Sequence, residues 1–232
     1  MTFAVAALAA AAGAFASLER KAIGQLMLSR PIVVAPLLAA VLGHARAGLA
    51  VGVPLELFFL GSSSYGASTP EHETLAALFA AALAAEAAPH VAPPVAWAVA
   101  VYLGLPLAAL GRRLEAALER RNEGLVERAQ ELLEEGLLGQ ASRQALVSLA
   151  VTALLGAGVV CLGMLLGPPA GAVESHLVPG LVRGLTLAWA LFVGLSAALG
   201  LRAIQIPGGK VLSGVAALTV FVVFALTVLV LR

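Results

Sequence analysis

Long apolar segments separated by short polar ones make up most of this chain and predict membrane-spanning helices. The clearest apolar segments are residues 2–18, 95–110, 145–166, 181–201 and 211–231. A membrane helix needs about 20 predominantly apolar residues, and most of these segments approach or reach that length. Because the segments are continuously apolar rather than alternating, they favour helices over the strands of a membrane barrel. We therefore expect an all-α, polytopic membrane protein.

Residues 31–60 are also apolar, but the pattern is interrupted. It predicts either one long span or two shorter segments broken near residues 43–48. His44 and Arg46 disfavour a straight span facing lipid, because ionisable groups at membrane depth turn towards protein or water. Residues 75–88 are too few to cross a bilayer untilted and predict the second arm of a re-entrant hairpin.

A single carboxylate, Glu56, lies inside the apolar run from Val51 to Leu60. A carboxylate at membrane depth costs roughly 2.5–3.5 kcal/mol, so it must face protein or water. The polar residues 62–74 follow without a lysine or arginine. One interpretation is a broken helix that lines a polar pocket, as at transporter binding sites. The other is a connector in which Glu56 bonds to a neighbouring helix.

Residues 112–143 have a different composition and predict an amphipathic helix outside the bilayer. Glutamates recur at four-residue intervals and form a slowly winding stripe opposite an apolar face. They are Glu115, Glu119, Glu123, Glu127, Glu131 and Glu135. Five arginines within residues 112–128 place the helix in the cytoplasm by the positive-inside rule. It is either a solvated connector on the membrane surface or a docking surface for a soluble partner.

These patterns divide the chain into three regions. Residues 1–110 form an N-terminal membrane region with the substrate-site hairpin, and 111–143 form the cytoplasmic helix. Residues 144–232 form the C-terminal membrane helices.

Composition excludes several classes of function. Hydrophobic residues make up 61% of the chain and charged residues 12%, against about 45–50% and 25% in soluble domains. No basic patch interleaved with aromatic residues is present, so we expect no nucleic-acid partner.

The single cysteine, Cys161, excludes an internal disulfide. The chain has no phosphate-binding loop, and its histidines lack metal-ligand spacing, so we expect no bound metal or cofactor. His72, between two glutamates, is interpreted as part of a solvated loop.

The order of residues from Arg30 to Gly66 resembles one family of membrane proteins. It reads R-P, then L-G-x-x-x-x-G-x-x-x-G-x-x-x-E-L-x-x-x-G, then a small polar loop. This pattern is similar to the membrane-channel subunit, enzyme IIC, of the mannose–fructose–sorbose family of sugar phosphotransferase systems. The matching residues are Arg30, Pro31, Leu42, Gly43, Gly48, Gly52, Glu56, Leu57, Gly61 and Gly66.

The resemblance implies a sugar-translocating subunit in the bacterial inner membrane. Its expected partners are a second membrane subunit of the enzyme IID type, cytoplasmic enzyme IIA and IIB subunits that carry the phosphoryl group, the sugar and membrane lipid. The chain itself would not be an enzyme. The resemblance assigns sugar binding to Glu56, Ser64 and Gln25. It assigns a structural role to Arg30, Pro31, Gly43, Gly48, Gly52, Gly61 and Gly66.

Several departures from the family pattern leave other functions open. The acidic and amide-rich run that usually precedes R-P is G-Q-L-M-L-S here, which leaves only Gln25. His44 replaces an aspartate of the family, Ser64 stands where asparagine is common, and the chain contains no aspartate. One alternative is a transport-deficient scaffold or regulatory subunit that anchors soluble phosphotransferase components. A further alternative is an unrelated small-solute carrier with its own coupling ion.

Overall fold

The computed structural model of the protein describes residues 2–20, 22–61, 71–174 and 179–203, together with residues 211, 214, 215 and 218. Every regular element in these ranges is an α-helix, which confirms the all-α fold class. The helices are α1 (Phe3–Glu19), α2 (Pro31–Val41), α3 (Ala45–Gly61), α4 (Glu73–Ala87), α5 (Pro93–Glu134), α6 (Leu138–Glu174) and α7 (Pro179–Ala203).

Three of the described helices are long and apolar enough to cross a membrane. They are Pro93–Glu134, Leu138–Pro169 and Pro179–Ala203. The 17 residues of α1 extend only about 25 Å and the 11 of α2 about 16 Å, against an apolar bilayer core of about 30 Å. The long apolar helices agree with the expected class of helical membrane protein.

Residues 31–61 form two helices, so the two-segment alternative is the one that the structure adopts. Gly43 has a φ of +84° in the turn between them, a conformation that costs glycine little. Gly48 and Gly52 let α3 pack against α2 at close range. A Cβ at Gly52 would lie 2.6 Å from the carbonyl oxygen of Pro31, and one at Gly48 would overlap the carbonyl oxygen of Ala35. The re-entrant hairpin with residues 75–88 as its second arm stays a prediction.

The short helix α4 lies at the centre of the molecule. It packs against α2, α3, α5 and α6, and its residues 74–85 are buried on every side. Alanine and leucine supply most of this surface, and small side chains allow the surrounding helix backbones to approach. The first residue of α4, Glu73, is therefore held in a fixed place relative to four neighbouring helices.

The predicted amphipathic helix is the continuation of a membrane helix. The 42 residues of α5 extend about 63 Å, so residues 95–110 and 111–134 belong to one helix. A turn follows at residues 135–137, where Gly136 has a φ of +76°, and α6 begins at Leu138. The structure thus ends the amphipathic helix at Glu134, before the predicted end at residue 143. The division of the chain into three regions stays a prediction.

Candidate functional site

The sequence Arg30-Pro31 starts helix α2. Arg30 is the N-cap residue, with φ and ψ of −64° and 141°, and its carbonyl oxygen accepts hydrogen bonds from Val33 and Val34 at 2.9 Å. Proline is well suited to the next position, because the first helical residue needs no backbone N–H partner within the helix. This start places the Arg30 side chain at the end of the α2–α3 hairpin opposite its turn.

Arg30 joins three helices through two carboxylates. Its Nη2 lies 3.0 Å from Oε1 of Glu56 on α3, and its Nη1 lies 2.8 Å from Oε1 of Glu73 on α4. The other oxygen of Glu56 accepts a hydrogen bond from the backbone N–H of Ile32 at 3.4 Å. Only 7% of Glu56 is exposed. We call these three residues, Arg30, Glu56 and Glu73, the charged triad.

The glycine spacing of α3 explains how Glu56 reaches the start of α2. Gly52 precedes Glu56 by about one helical turn, so both residues lie on the same face of α3. Because Gly52 has no side chain, this face approaches the carbonyl oxygen of Pro31. The carboxylate of Glu56 then lies beside the N-terminus of α2, where the helix dipole and free amides favour a negative charge. The structure therefore supports the predicted contact of Glu56 with a neighbouring helix, which is α2.

The start of α4 is fixed by a buried histidine. Nδ1 of His72 accepts a hydrogen bond from the N–H of Leu75 at 3.3 Å, and the N–H of His72 donates to the carbonyl oxygen of Ala108 at 3.1 Å. His72 is 5% exposed, and a Cβ at Gly111 of α5 would lie 2.7 Å from its Cβ. The interpretation of His72 as part of a solvated loop is therefore wrong. A packed histidine at this place docks the start of α4, and with it Glu73, against α5.

Glu73 was not predicted as part of a site. Its only sequence signal was the local cluster of Glu71, His72 and Glu73 ahead of the apolar run that becomes α4. The same signal did not show that Glu73 meets Arg30, which is 43 residues earlier in the chain. The contact depends on the packing of α4 beside α2.

Of the other two predicted sugar-binding residues, the structure describes Gln25 but not Ser64. Gln25 lies in the segment between α1 and α2 and has a φ of +48°. Ser64 and Gly66 fall outside the described residues. Gly61 is the last residue of α3. The assignment of sugar binding to Glu56, Ser64 and Gln25 thus stays a prediction.

A separate cavity of about 230 Å³ lies near the turn of the α2–α3 hairpin. Its lining includes His44, Arg46 and Trp97. It is at the opposite end of the hairpin from the charged triad, so His44 does not belong to the triad. Within the described part of the chain, no three His, Cys, Asp or Glu side chains are grouped so that they could hold a metal ion.

The family of the chain follows from its sequence as a whole. Residues 3–230 match the family described as "PTS system sorbose-specific iic component". The chain belongs to this family. This confirms the resemblance seen between Arg30 and Gly66 and extends it over nearly the whole chain. It also confirms the predicted function class, the sugar-translocating membrane subunit of a sugar phosphotransferase system.

Two solved structures share the fold. One is described as "Structure of membrane protein" and has 21% sequence identity and a TM-score of 0.65, with 89% of this chain and 81% of that chain covered. The other is the mannose transporter ManYZ in complex with microcin E492, with 22% identity, a TM-score of 0.61, and 100% and 95% covered. At these identities the likeness concerns the fold. No curated protein sequence matches the chain.

Proposed function

We propose that this IIC subunit binds its sugar beside the charged triad and that Glu56 accepts hydrogen bonds from sugar hydroxyls. The observation that carries the proposal is the meeting of three helices at Arg30, Glu56 and Glu73, within 3.0 Å for each ion pair. In the sequence, residues 62–70, which include Ser64, fall between Glu56 and Glu73. Gln25 belongs to the segment that leads into Arg30.

The chemistry of the triad suits a neutral polyhydroxylated ligand. A carboxylate accepts hydrogen bonds from two hydroxyls, and a guanidinium donates through a planar set of N–H groups. Hydrogen bonds with one charged partner are about twice as strong as neutral ones. A sugar that replaces one of the contacts of Arg30 would leave Arg30 paired with the other carboxylate. Its hydroxyls would donate hydrogen bonds to the carboxylate that it displaces. Binding would then rearrange contacts between α2, α3 and α4.

The same site offers a means to couple binding to movement. Arg30 bonds to α3 through Glu56 and to α4 through Glu73, so a ligand that competes for either carboxylate changes how these helices are tied together. A conformational change requires that the ligand interact differently with the two states. The triad supplies such a difference, because its internal ion pairs and its contacts to a sugar use the same atoms.

We further propose that the subunit works with a second membrane subunit of the enzyme IID type in the bacterial inner membrane. Large apolar side chains on α6 and α7 favour contacts with lipid or with another membrane protein. Leu154 is 70% exposed, Leu165 71% and Leu195 51%. Phosphoryl transfer would take place on cytoplasmic IIA and IIB subunits, and the sugar would be captured as its phosphate.

The competing proposal is a scaffold that has kept the fold without transport. One observation favours it: Glu56 already bonds to Arg30 and Ile32, as a purely structural tie between α3 and α2 would. In that case Glu56 stabilises the hairpin and contacts no sugar. The two proposals therefore differ in what the removal of the Glu56 charge does.

The test uses Glu56→Gln and Glu56→Ala, expressed with and without the partner membrane subunit in cells that lack the native transporter. If Glu56 binds sugar, both variants assemble at wild-type yield but lose uptake of labelled sugar, and alanine is at least as damaging as glutamine. If Glu56 is only a structural tie, alanine reduces yield and assembly instead. Wild-type uptake by well-assembled Glu56→Ala would disprove the sugar-binding role and support the scaffold.

A further inference from the structure

A buried carboxylate on α1 lies directly before the segment that carries Gln25 and Arg30. Glu19, the last residue of α1, is 1% exposed. Its Oε2 accepts a hydrogen bond from the backbone N–H of Ser29 at 2.9 Å, ten residues later in the chain. Within the described part of the chain, its Oε1 has no hydrogen-bond partner. A buried carboxylate is costly unless it is hydrogen-bonded, so this contact is a strong constraint on the segment.

The segment that Glu19 holds has an unusual backbone. Gly24, Gln25 and Met27 have φ angles of 77°, 48° and 62°. Residues other than glycine rarely adopt this left-handed backbone conformation, and they keep it only where the surrounding structure requires it. The N–H of Arg30 donates to the carbonyl oxygen of Met27 at 3.3 Å, which closes a turn from Met27 to Arg30. Glu19 bonds to Ser29 inside the same turn.

This arrangement connects Glu19 to the charged triad through a single residue. Ser29 is 6% exposed and is followed directly by Arg30, whose backbone caps α2 and whose side chain bonds to Glu56 and Glu73. A shift of the Ser29 backbone would therefore move the guanidinium relative to both carboxylates. Met27 is 71% exposed, so side-chain packing does little to hold this turn in place.

From these contacts we infer that Glu19 is a positioning residue: its carboxylate holds residues 24–29, three of which have left-handed backbone conformations, and so sets the place of Arg30 and Gln25 for sugar binding. The expected effect of Glu19 on sugar binding rests on the proposed function. The hold of Glu19 on the turn is independent of that function. Glu19 itself contacts no sugar in this proposal.

Two measurements test the inference in a variant without the native cysteine, Cys161→Ala. The first is the mobility of a nitroxide label at Met27→Cys, read from its electron paramagnetic resonance line shape. The second is the sugar concentration at half-maximal uptake, measured without the label. We expect Glu19→Ala to make the label more mobile and to raise the half-saturation concentration about tenfold, because a hydrogen bond to a charged group is lost. Maximal uptake per assembled transporter should change much less.

A second variant and a matched control separate positioning from general loosening. Glu19→Gln keeps the side-chain volume and an oxygen that accepts from Ser29, so both effects should be smaller than with alanine. Glu115→Gln removes the negative charge that pairs with the next residue, Arg20, whose Nη1 lies 2.9 Å from both oxygens of Glu115 on α5. This control loosens the same end of α1 without touching the turn, so label mobility and half-saturation should stay at the wild-type values.

Unchanged label mobility in Glu19→Ala would overturn the inference, since the turn would not depend on this carboxylate. A mobile label with unchanged half-saturation would also overturn it, because the turn would not position the site. Equal effects in Glu115→Gln would show loosening of α1 and would overturn it as well. If Glu56→Ala keeps wild-type uptake, the proposed sugar site fails, while label mobility still reports whether Glu19 holds the turn.

Discussion

Arginine and glutamate form contacts of different kinds in two regions of this protein. At the charged triad, Arg30 bonds to Glu56 and Glu73, and the exposed side-chain fractions are 33%, 9% and 18%. In the extension of α5, residues 112–134, five arginines and six glutamates occur, and most are exposed. Residue type alone therefore does not distinguish a candidate site from a solvated surface.

The difference between the two regions is the low dielectric and the crowding around the triad. Exposed ion pairs contribute about 0–1 kcal/mol, because water screens them and both side chains lose freedom. Removing one member of a buried pair costs about 3–5 kcal/mol, since the other charge is left unpaired. The exposed ion pairs of the α5 extension should thus contribute little to stability, while loss of one member of the triad should have a large effect.

The largest expected effect is that of Arg30→Ala compared with Arg120→Ala in the extension. Without Arg30, the carboxylates of Glu56 and Glu73 lose their common cation, and we expect a loss of about 3 kcal/mol in stability together with loss of sugar uptake. Arg120→Ala should change stability by no more than about 0.5 kcal/mol. Unfolding of the purified protein in detergent measures both, and similar losses in the two variants would remove the distinction between the regions.

Two glycines allow the packing of the α2–α3 hairpin to be compared with that of the α5 extension. A Cβ at Gly48 would overlap the backbone of Ala35, so Gly48→Ala should cost about 1–3 kcal/mol by forcing α3 away from α2. Gly124 lies on the extension, and among the described residues outside its own stretch of helix no atom lies within 4 Å of the position of its Cβ. Gly124→Ala should therefore gain up to about 1 kcal/mol of helix stability. Opposite signs in the same unfolding measurement are the expected result. Equal signs would contradict the close packing of the hairpin.

The smallest of the three effects concerns Glu73. Glu73→Gln keeps the shape and a hydrogen-bond acceptor, and Arg30 keeps its pair with Glu56, so we expect a stability loss of about 1 kcal/mol. Sugar affinity should fall if the triad binds sugar. Glu127→Gln on the exposed stripe is the control, with no change expected in either quantity. A Glu73→Gln variant that equals this control in both measurements would show that Glu73 lies outside the working site.

Part of the candidate site followed from local patterns in the sequence. Glu56 was predicted because a carboxylate in an apolar run needs a polar environment, and the structure places it against Arg30 and Ile32. The break between α2 and α3 was one of two predicted alternatives, and Gly43 with its positive φ marks it. The role of Glu73 and the burial of His72 did not follow, because both depend on how α4 packs among its neighbours.

The family, the helical membrane class and the position of Glu56 in an apolar run were determined by the sequence itself, since composition, period and spacing are local properties. The tertiary structure decided which charges meet. Arg30 reaches Glu73 across 43 residues, and Arg20 reaches Glu115 across 95. No periodicity along the chain records such pairs, because they arise only when small residues let separate helices approach and bury their ends together.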